Sequence, residues 1–96
     1  MSKNITDITE DILLKAGFNK EECYSIIGPY RYIKILSDVY VDVSNFSYMP
    51  MRDWNVRIYD RDDYYMGLFA EADIQTIDHF NKLMELMDID FRLKEE

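Results

Sequence analysis

Residues 31–43 read RYIKILSDVYVDV, and this stretch decides the fold. Apolar residues recur at every second position on both sides of a short polar step, at Ile33, Ile35, Val39, Val41 and Val43. A period of two is the spacing of side chains that share one face of a β-strand. The polar step Ser37-Asp38 between the two runs is typical of a tight hairpin turn. The sequence therefore predicts two antiparallel strands, over residues 31–36 and 39–43.

Further strand signals flank this hairpin on both sides. Residues 23–27 precede the turn dipeptide Gly28-Pro29, and residues 54–59 place Trp54, Val56 and Ile58 on one face. The acidic stretch 60–63 then predicts a turn into a strand over residues 64–69. Residues 44–53 contain Pro50 and lack alternation, which predicts a mobile loop. We expect four or five antiparallel strands in total.

A short helix is predicted before the strands, over Glu10–Ala16. Thr9 has the side chain of an N-cap, and two acidic residues follow it where the positive end of the helix dipole lies. Gly17 followed by apolar Phe18 is the pattern of a Schellman ending.

A second helix of about 15 residues is predicted near the C-terminus, starting close to Asp73. Its apolar residues recur at helical spacing, at Ile74, Ile77, Phe80, Met84 and Met87. Beyond it, apolar and charged residues alternate over residues 89–93. This alternation is compatible with a short closing strand or with an extended tail packed on the sheet.

Together these elements predict one α+β domain spanning residues 1–96. A short N-terminal helix precedes a four- to five-stranded antiparallel sheet, and the amphipathic C-terminal helix packs on one sheet face. The other face is expected to be exposed to water, because antiparallel sheets commonly bury only one side. Alternation places there Tyr32, Lys34, Tyr40, Asp42, Asn55, Arg57 and Tyr59.

Charge and cysteine content limit the binding partners and the cellular compartment that we expect for this chain. The chain has 19 acidic and 11 basic residues and a formal charge of -8, and such a surface repels nucleic-acid phosphates. We therefore do not expect direct nucleic-acid binding. A single cysteine, Cys23, excludes an intrachain disulfide, and no run of residues approaches the roughly 20 apolar residues of a membrane span. A cytoplasmic protein without membrane contact is expected.

Catalytic and metal-binding motifs are absent from the sequence. Asp60 and Asp62 begin like a calcium loop, but Tyr64 and Tyr65 occupy the positions that need an oxygen ligand and a glycine. His79 is the single histidine, and no carboxylate lies one helical turn from it. We expect no enzymatic activity, no metal and no cofactor.

Two sequence features favour protein binding. The first is a set of residues on the free sheet face and in the loop beside it, Tyr40, Tyr48, Arg57 and Tyr59, because tyrosine offers apolar contact area at interfaces. The second is the acidic turn, Asp60, Asp62 and Asp63, which could meet a basic surface. The sequence predicts a module that binds another protein. A homo-oligomeric accessory protein and a small enzyme with a carboxylate site are the alternatives.

The chain also resembles a group of short uncharacterised proteins found in Bacteroides-type gut bacteria and in their phages and mobile elements. The resemblance rests on residues 8–18, on the strand ending at residues 39–43 and on the helical stretch 77–83. The resemblance implies a setting, which is mobile or phage-derived DNA in an anaerobic bacterium, and it implies no activity and transfers no catalytic residue. The lack of catalytic motifs, together with the charge and the aromatic residues, leads us to expect a phage or mobile-element accessory protein or an inhibitor of a host defence system.

Overall fold

The computed structural model describes residues 6–25, 28–44 and 54–94. Two helices bracket five strands, which gives the predicted α+β fold. The helices are Glu10–Lys15 (α1) and Ile77–Leu86 (α2), and the strands are Asn19–Ser25 (β1), Gly28–Ile35 (β2), Val39–Ser44 (β3), Trp54–Asp60 (β4) and Asp63–Ile74 (β5).

The five strands form one antiparallel sheet in chain order, so that β1 and β5 are its two edges. The predicted central hairpin is confirmed. Ile35 of β2 lies opposite Tyr40 of β3, and the Leu36 amide donates to the Val39 carbonyl oxygen at 2.8 Å across the turn. This strand order is a β-meander, in which each strand pairs with the one that precedes it in the chain.

The caps of α1 follow the prediction. The Thr9 hydroxyl accepts a hydrogen bond from the Ile12 amide at 3.3 Å. At the other end Gly17 has a φ of 94°, and the amides of Gly17 and Phe18 donate back to Leu14 and Leu13 at 3.1 Å each. These two bonds make a Schellman motif, which satisfies carbonyl groups that the helix end leaves open.

One face of the sheet carries the core. The central strands bury Val41, Val43, Val56 and Ile58 completely. Helix α2 covers them with Ile77, Phe80 and Met84, and helix α1 adds Leu13. The predicted packing of the C-terminal helix on one sheet face is therefore confirmed.

The predicted faces of β2 are wrong. Tyr32 and Lys34 lie opposite Val43 and Val41, which places both on the helix-covered face, and Ile33 lies opposite Asp42 on the second face. Tyr32 is buried in the core. Both side chains combine an apolar body with a polar end, so they can lie on a core face with the end directed outward.

Several boundaries also differ from the prediction. Strand β1 begins before the predicted residues 23–27, because residues 19–22 pair with β2 from Tyr30 to Ile33. Asp73 and Ile74 belong to β5, and α2 begins only at Ile77 after the N-cap Thr76. The predicted loop 44–53 lies outside the described residues except for Ser44, the last residue of β3.

The C-terminal residues 89–94 form an extended tail and belong to none of the described strands. Phe91 packs edge-on against Phe18 and Phe80, with ring centroids 5.8 and 6.2 Å apart, and Leu93 is buried. The predicted closing strand is therefore not formed by residues 89–94, and this tail packs against Phe18 and against Phe80 of α2. None of the helices in the described chain is long and apolar enough to span a bilayer.

Candidate functional site

The acidic turn between β4 and β5 is built by its own carboxylates. The Asp60 carboxylate accepts a hydrogen bond from the Asp62 amide at 2.9 Å, and the Asp63 carboxylate accepts one from the Met66 amide at 3.0 Å. Side chains of this kind stabilise turns by satisfying backbone amides. Asp62 and Asp63 are exposed, so the turn presents negative charge to solvent while it is held in one shape.

Arg61 ties this turn to the β2–β3 hairpin turn. Its guanidinium donates to the Ser37 carbonyl oxygen and its amide donates to the Asp38 carbonyl oxygen, both at 3.1 Å. The cation next to the acidic residues therefore has a structural role at the end of the sheet.

The second face of the sheet brings three of the predicted residues together. Tyr40 lies directly opposite Tyr59 across the β3–β4 pair, and Arg57 lies opposite Asp42. Tyr59 is buried, whereas Tyr40 and Arg57 are half-buried. Tyr48, the remaining predicted residue of this set, lies outside the described residues.

The prediction that this face is exposed to water is wrong at its centre. Asp42 and Asn55 are 8% and 7% exposed, and Ile33 and Tyr59 are buried as well. Burial of polar groups is tolerated only when they are hydrogen-bonded or paired. Asp42 accordingly lies 3.7 Å from the Arg31 guanidinium, which also reaches Glu21 at 3.5 Å.

A polar network links the second face of β4 to β5. The Asn55 amide nitrogen donates to Glu71 at 3.1 Å and to Asp73 at 3.2 Å, and Arg57 lies 3.0 Å from the same Glu71 oxygen. The hydrogen bond from Asn55, followed by that from Arg57, lowers the pKa of Glu71. A hydrogen bond with Tyr59, followed by the one with Glu71, raises the pKa of Arg57.

This network keeps its carboxylate charged, which is the opposite of what a general acid requires. No group of three histidine, cysteine, aspartate or glutamate residues in the described chain is arranged to hold a metal ion. In the residues that the structure describes, the polar part of the second face consists of hydrogen-bonded ion pairs.

The two most exposed apolar residues in the described part of the sheet, Met66 and Phe69, lie on β5 close to the exposed Leu68, and the sequence analysis did not identify them. Met66 is 85% exposed, Phe69 53% and Leu68 46%. Residues 64–69 are apolar at odd and even positions alike, so a strand with one covered face must expose some of them. That continuous apolar run is the signal that could have revealed this surface.

A groove lies between the end of β5 and helix α2. It has a volume of about 290 Å³ and is lined by Ala72, Asp73, Ile74, His79, Lys82, Leu83 and Leu86. Leu86 is 79% exposed at the helix end, although it is large and apolar. The groove lies along the last residues of β5, C-terminal to Met66, Leu68 and Phe69. We call Met66, Leu68, Phe69 and this groove the β5 surface.

A larger cavity of about 430 Å³ lies just beyond the C-terminal end of α2, between residues 36–39 and residues 87–90. Asp38, Asp88 and Asp90 are among its lining residues. All three are exposed, and these acids are therefore explained as solvated surface charge.

Comparisons with known proteins give no match, so the geometry of the chain is the basis on which a function can be argued. No family model matches the sequence, and neither the curated proteins nor the solved structures contain a significant match.

Proposed function

We propose that this chain is a non-enzymatic module that binds another protein through the β5 surface, with the acidic turn beside it. The observation that carries the proposal is the exposure of Met66, Leu68 and Phe69 within four consecutive positions of one strand. Clustered exposed apolar residues with a polar rim are characteristic of protein interaction sites.

The surroundings of this cluster have the composition of an interface rim. Asp62 and Asp63 lie at one end of β5, and Glu71 and Asp73 lie at the other. Charges at a rim contribute mainly to association rate and to the choice of partner, whereas apolar residues at the centre contribute most of the affinity. The predicted acidic residues thus belong to the proposed site as its rim.

The setting that we propose follows from the resemblance of the sequence. It is the cytoplasm of a bacterium, with the chain acting as a phage or mobile-element accessory protein or as an inhibitor of a host defence system. An acidic interaction surface supports that setting, because many proteins that handle nucleic acid carry a complementary basic surface.

Site-specific photo-crosslinking tests the proposal. A photoreactive phenylalanine analogue at Phe69 should give a covalent adduct with a second protein in a lysate of the organism that encodes the chain. The same analogue at Leu14, which is 42% exposed on α1, is the matched control and should give none. Adducts at both positions, or at neither, would show that the β5 surface is not the binding site.

The homo-oligomeric alternative has its own outcome in this experiment. The exposed β5 residues could also contact a second copy of the chain, and an adduct of twice the chain mass would then replace the heteromeric one. We favour a different partner because two copies, each with a formal charge of -8, repel each other.

A further inference from the structure

The two edges of the sheet are protected differently. Edge strand β1 exposes Lys20, Glu21 and Glu22, and charged side chains of this kind prevent the edge from pairing with other chains. Edge strand β5 instead exposes Met66, Leu68 and Phe69. Between Asp63 and Glu71, strand β5 has no charged residue, so this part of its edge lacks the protection that β1 carries.

No strand lies on the outer side of β5 in the part of the chain that the structure describes. Within the described residues, this strand pairs with β4 alone, and the single bridge from Asp7 reaches Thr76, beyond the end of the strand. An edge strand of 12 residues presents a long row of amide and carbonyl groups. Such a row can hydrogen-bond an extended segment of another protein.

The groove gives an added strand a place for its side chains. Successive side chains of a strand point to opposite faces, so every second residue of an added segment would be directed towards the side where α2 lies. There the groove offers the apolar side chains of Ala72, Ile74, Leu83 and Leu86. This apolar lining favours apolar residues at alternate positions of the segment.

The charged residues of β5 and α2 determine which side chains are favourable at the remaining positions of that segment. Strand β5 carries Asp63, Glu71 and Asp73 and has no lysine or arginine. Helix α2 adds Asp78 and Glu85, against the single lysine Lys82. Cross-strand pairs of opposite charge are favourable and pairs of like charge are unfavourable. This disfavours a second copy of β5 as the occupant and favours a basic one.

We propose, on the basis of the proposed function, that an extended segment of the partner adds to β5 as a sixth strand. Its apolar residues enter the groove between β5 and α2, and they alternate with lysine or arginine that face the acidic residues of β5. Main-chain hydrogen bonds to the β5 edge hold the segment, and the groove and the acidic residues select its sequence.

Selection from a displayed library of random linear peptides, with the full chain as bait, tests this inference. The enriched peptides should alternate apolar and basic residues, and their binding should weaken as salt concentration rises. In NMR spectra of the labelled protein, a synthetic copy of an enriched peptide should shift the amides of residues 66–74 and of the Leu83–Leu86 turn of α2.

Two further measurements separate strand addition from other modes of binding. Methylation of one peptide nitrogen at a time should weaken binding at every second position, because alternate amides of an added strand face the neighbouring strand. Leu86→Ala should weaken binding about tenfold, since burial of a leucine side chain is lost. Leu14→Ala, an exposed leucine on the other helix, is the control and should have no effect.

The outcomes also distinguish this inference from the proposed function. If no peptide is enriched, if the shifts lie elsewhere, or if methylation has a uniform effect, strand addition is refuted. A heteromeric photo-adduct at Phe69 alongside any of these results would leave the protein-binding function in place, with a folded surface as the partner. Loss of the adduct as well would refute both.

Discussion

Asn81 and Leu93 exchange two hydrogen bonds. The Asn81 amide nitrogen donates to the Leu93 carbonyl oxygen at 3.0 Å, and the Leu93 amide donates to the Asn81 side-chain oxygen at 2.8 Å. The Asn81 side chain on α2 thereby provides the two backbone hydrogen bonds that a neighbouring strand would otherwise give to Leu93. The pair holds Leu93 in the core and keeps Phe91 over Phe18 and Phe80.

Replacement of Asn81 should release the tail. Asn81→Ala removes both partners of Leu93, and we expect a loss of about 1–3 kcal/mol in the free energy of unfolding, because a half-buried backbone amide and carbonyl lose their bonds. Urea unfolding measures this loss, and hydrogen exchange of the Leu93 amide should accelerate. Asn81→Asp keeps the acceptor but not the donor, so a stability equal to that of the alanine variant would contradict this role.

Gly17 should be required at the end of α1. Its φ of 94° disfavours any side chain, and an added Cβ would lie 2.6 Å from the Lys34 Nζ atom. The lysine end can move, so the backbone conformation determines most of the cost, and we expect Gly17→Ala to destabilise the fold by about 1–2 kcal/mol. Thermal unfolding measures this destabilisation, and an unchanged midpoint would contradict the requirement for glycine at this position.

At the end of α2, Asp88 occupies a position at which glycine would be the more favourable residue. It has a φ of 58° in a second Schellman motif, in which the Ile89 amide donates to the Met84 carbonyl oxygen at 2.9 Å. Glycine adopts this conformation without the steric cost. Asp88→Gly should therefore stabilise the protein by up to about 1 kcal/mol, which corresponds to a rise of about 4–8 °C in the midpoint of thermal unfolding. A lower midpoint would contradict the argument.

The hydroxyl group of Tyr32 should contribute to stability independently of its ring. It donates a hydrogen bond to Glu10, and burial followed by this bond raises the pKa of Tyr32. Tyr32→Phe keeps the ring contact with Trp54, whose centroid lies 5.7 Å away, but should cost about 1 kcal/mol. Tyr30→Phe is the control, because the exposed Tyr30 ring meets Lys20 through its face. Equal losses in both variants would contradict the prediction.

Acid should weaken the network around Glu71. Its pKa is lowered in the folded protein, so the carboxylate contributes stability above its unfolded pKa and loses that contribution as pH falls through the lower folded value. Urea unfolding from neutral pH to about pH 3 should show stability declining below the ordinary glutamate value of 4.5. Glu71→Gln should flatten part of this decline. A steeper decline in the variant would contradict the sign.

The candidate site was only partly predictable. The sequence located the acidic turn, because a run of acidic residues between two alternating stretches marks an exposed turn. It did not locate the β5 surface. Whether Leu68 and Phe69 are covered depends on which strands stand at the edges of the sheet, and on where α2 ends relative to β5. Neither property is local to residues 64–69.

Alternation and capping signals are local, and for that reason the sequence alone determined the element types, the central hairpin, the caps of α1 and the packing of an amphipathic helix on one sheet face. Tertiary structure decided which face of β2 is covered. Alternation along a strand assigns its residues to two faces, but it does not show which of the two faces packs against the helix. Tyr32 and Lys34 can line a core face with their apolar portions, whereas Ile33 is buried on the other side beside Asp42. Strand pairing likewise set the length of β5, since its partners on β4 hold residues 70–74 in the sheet, whereas helical spacing alone had placed the start of a helix close to Asp73.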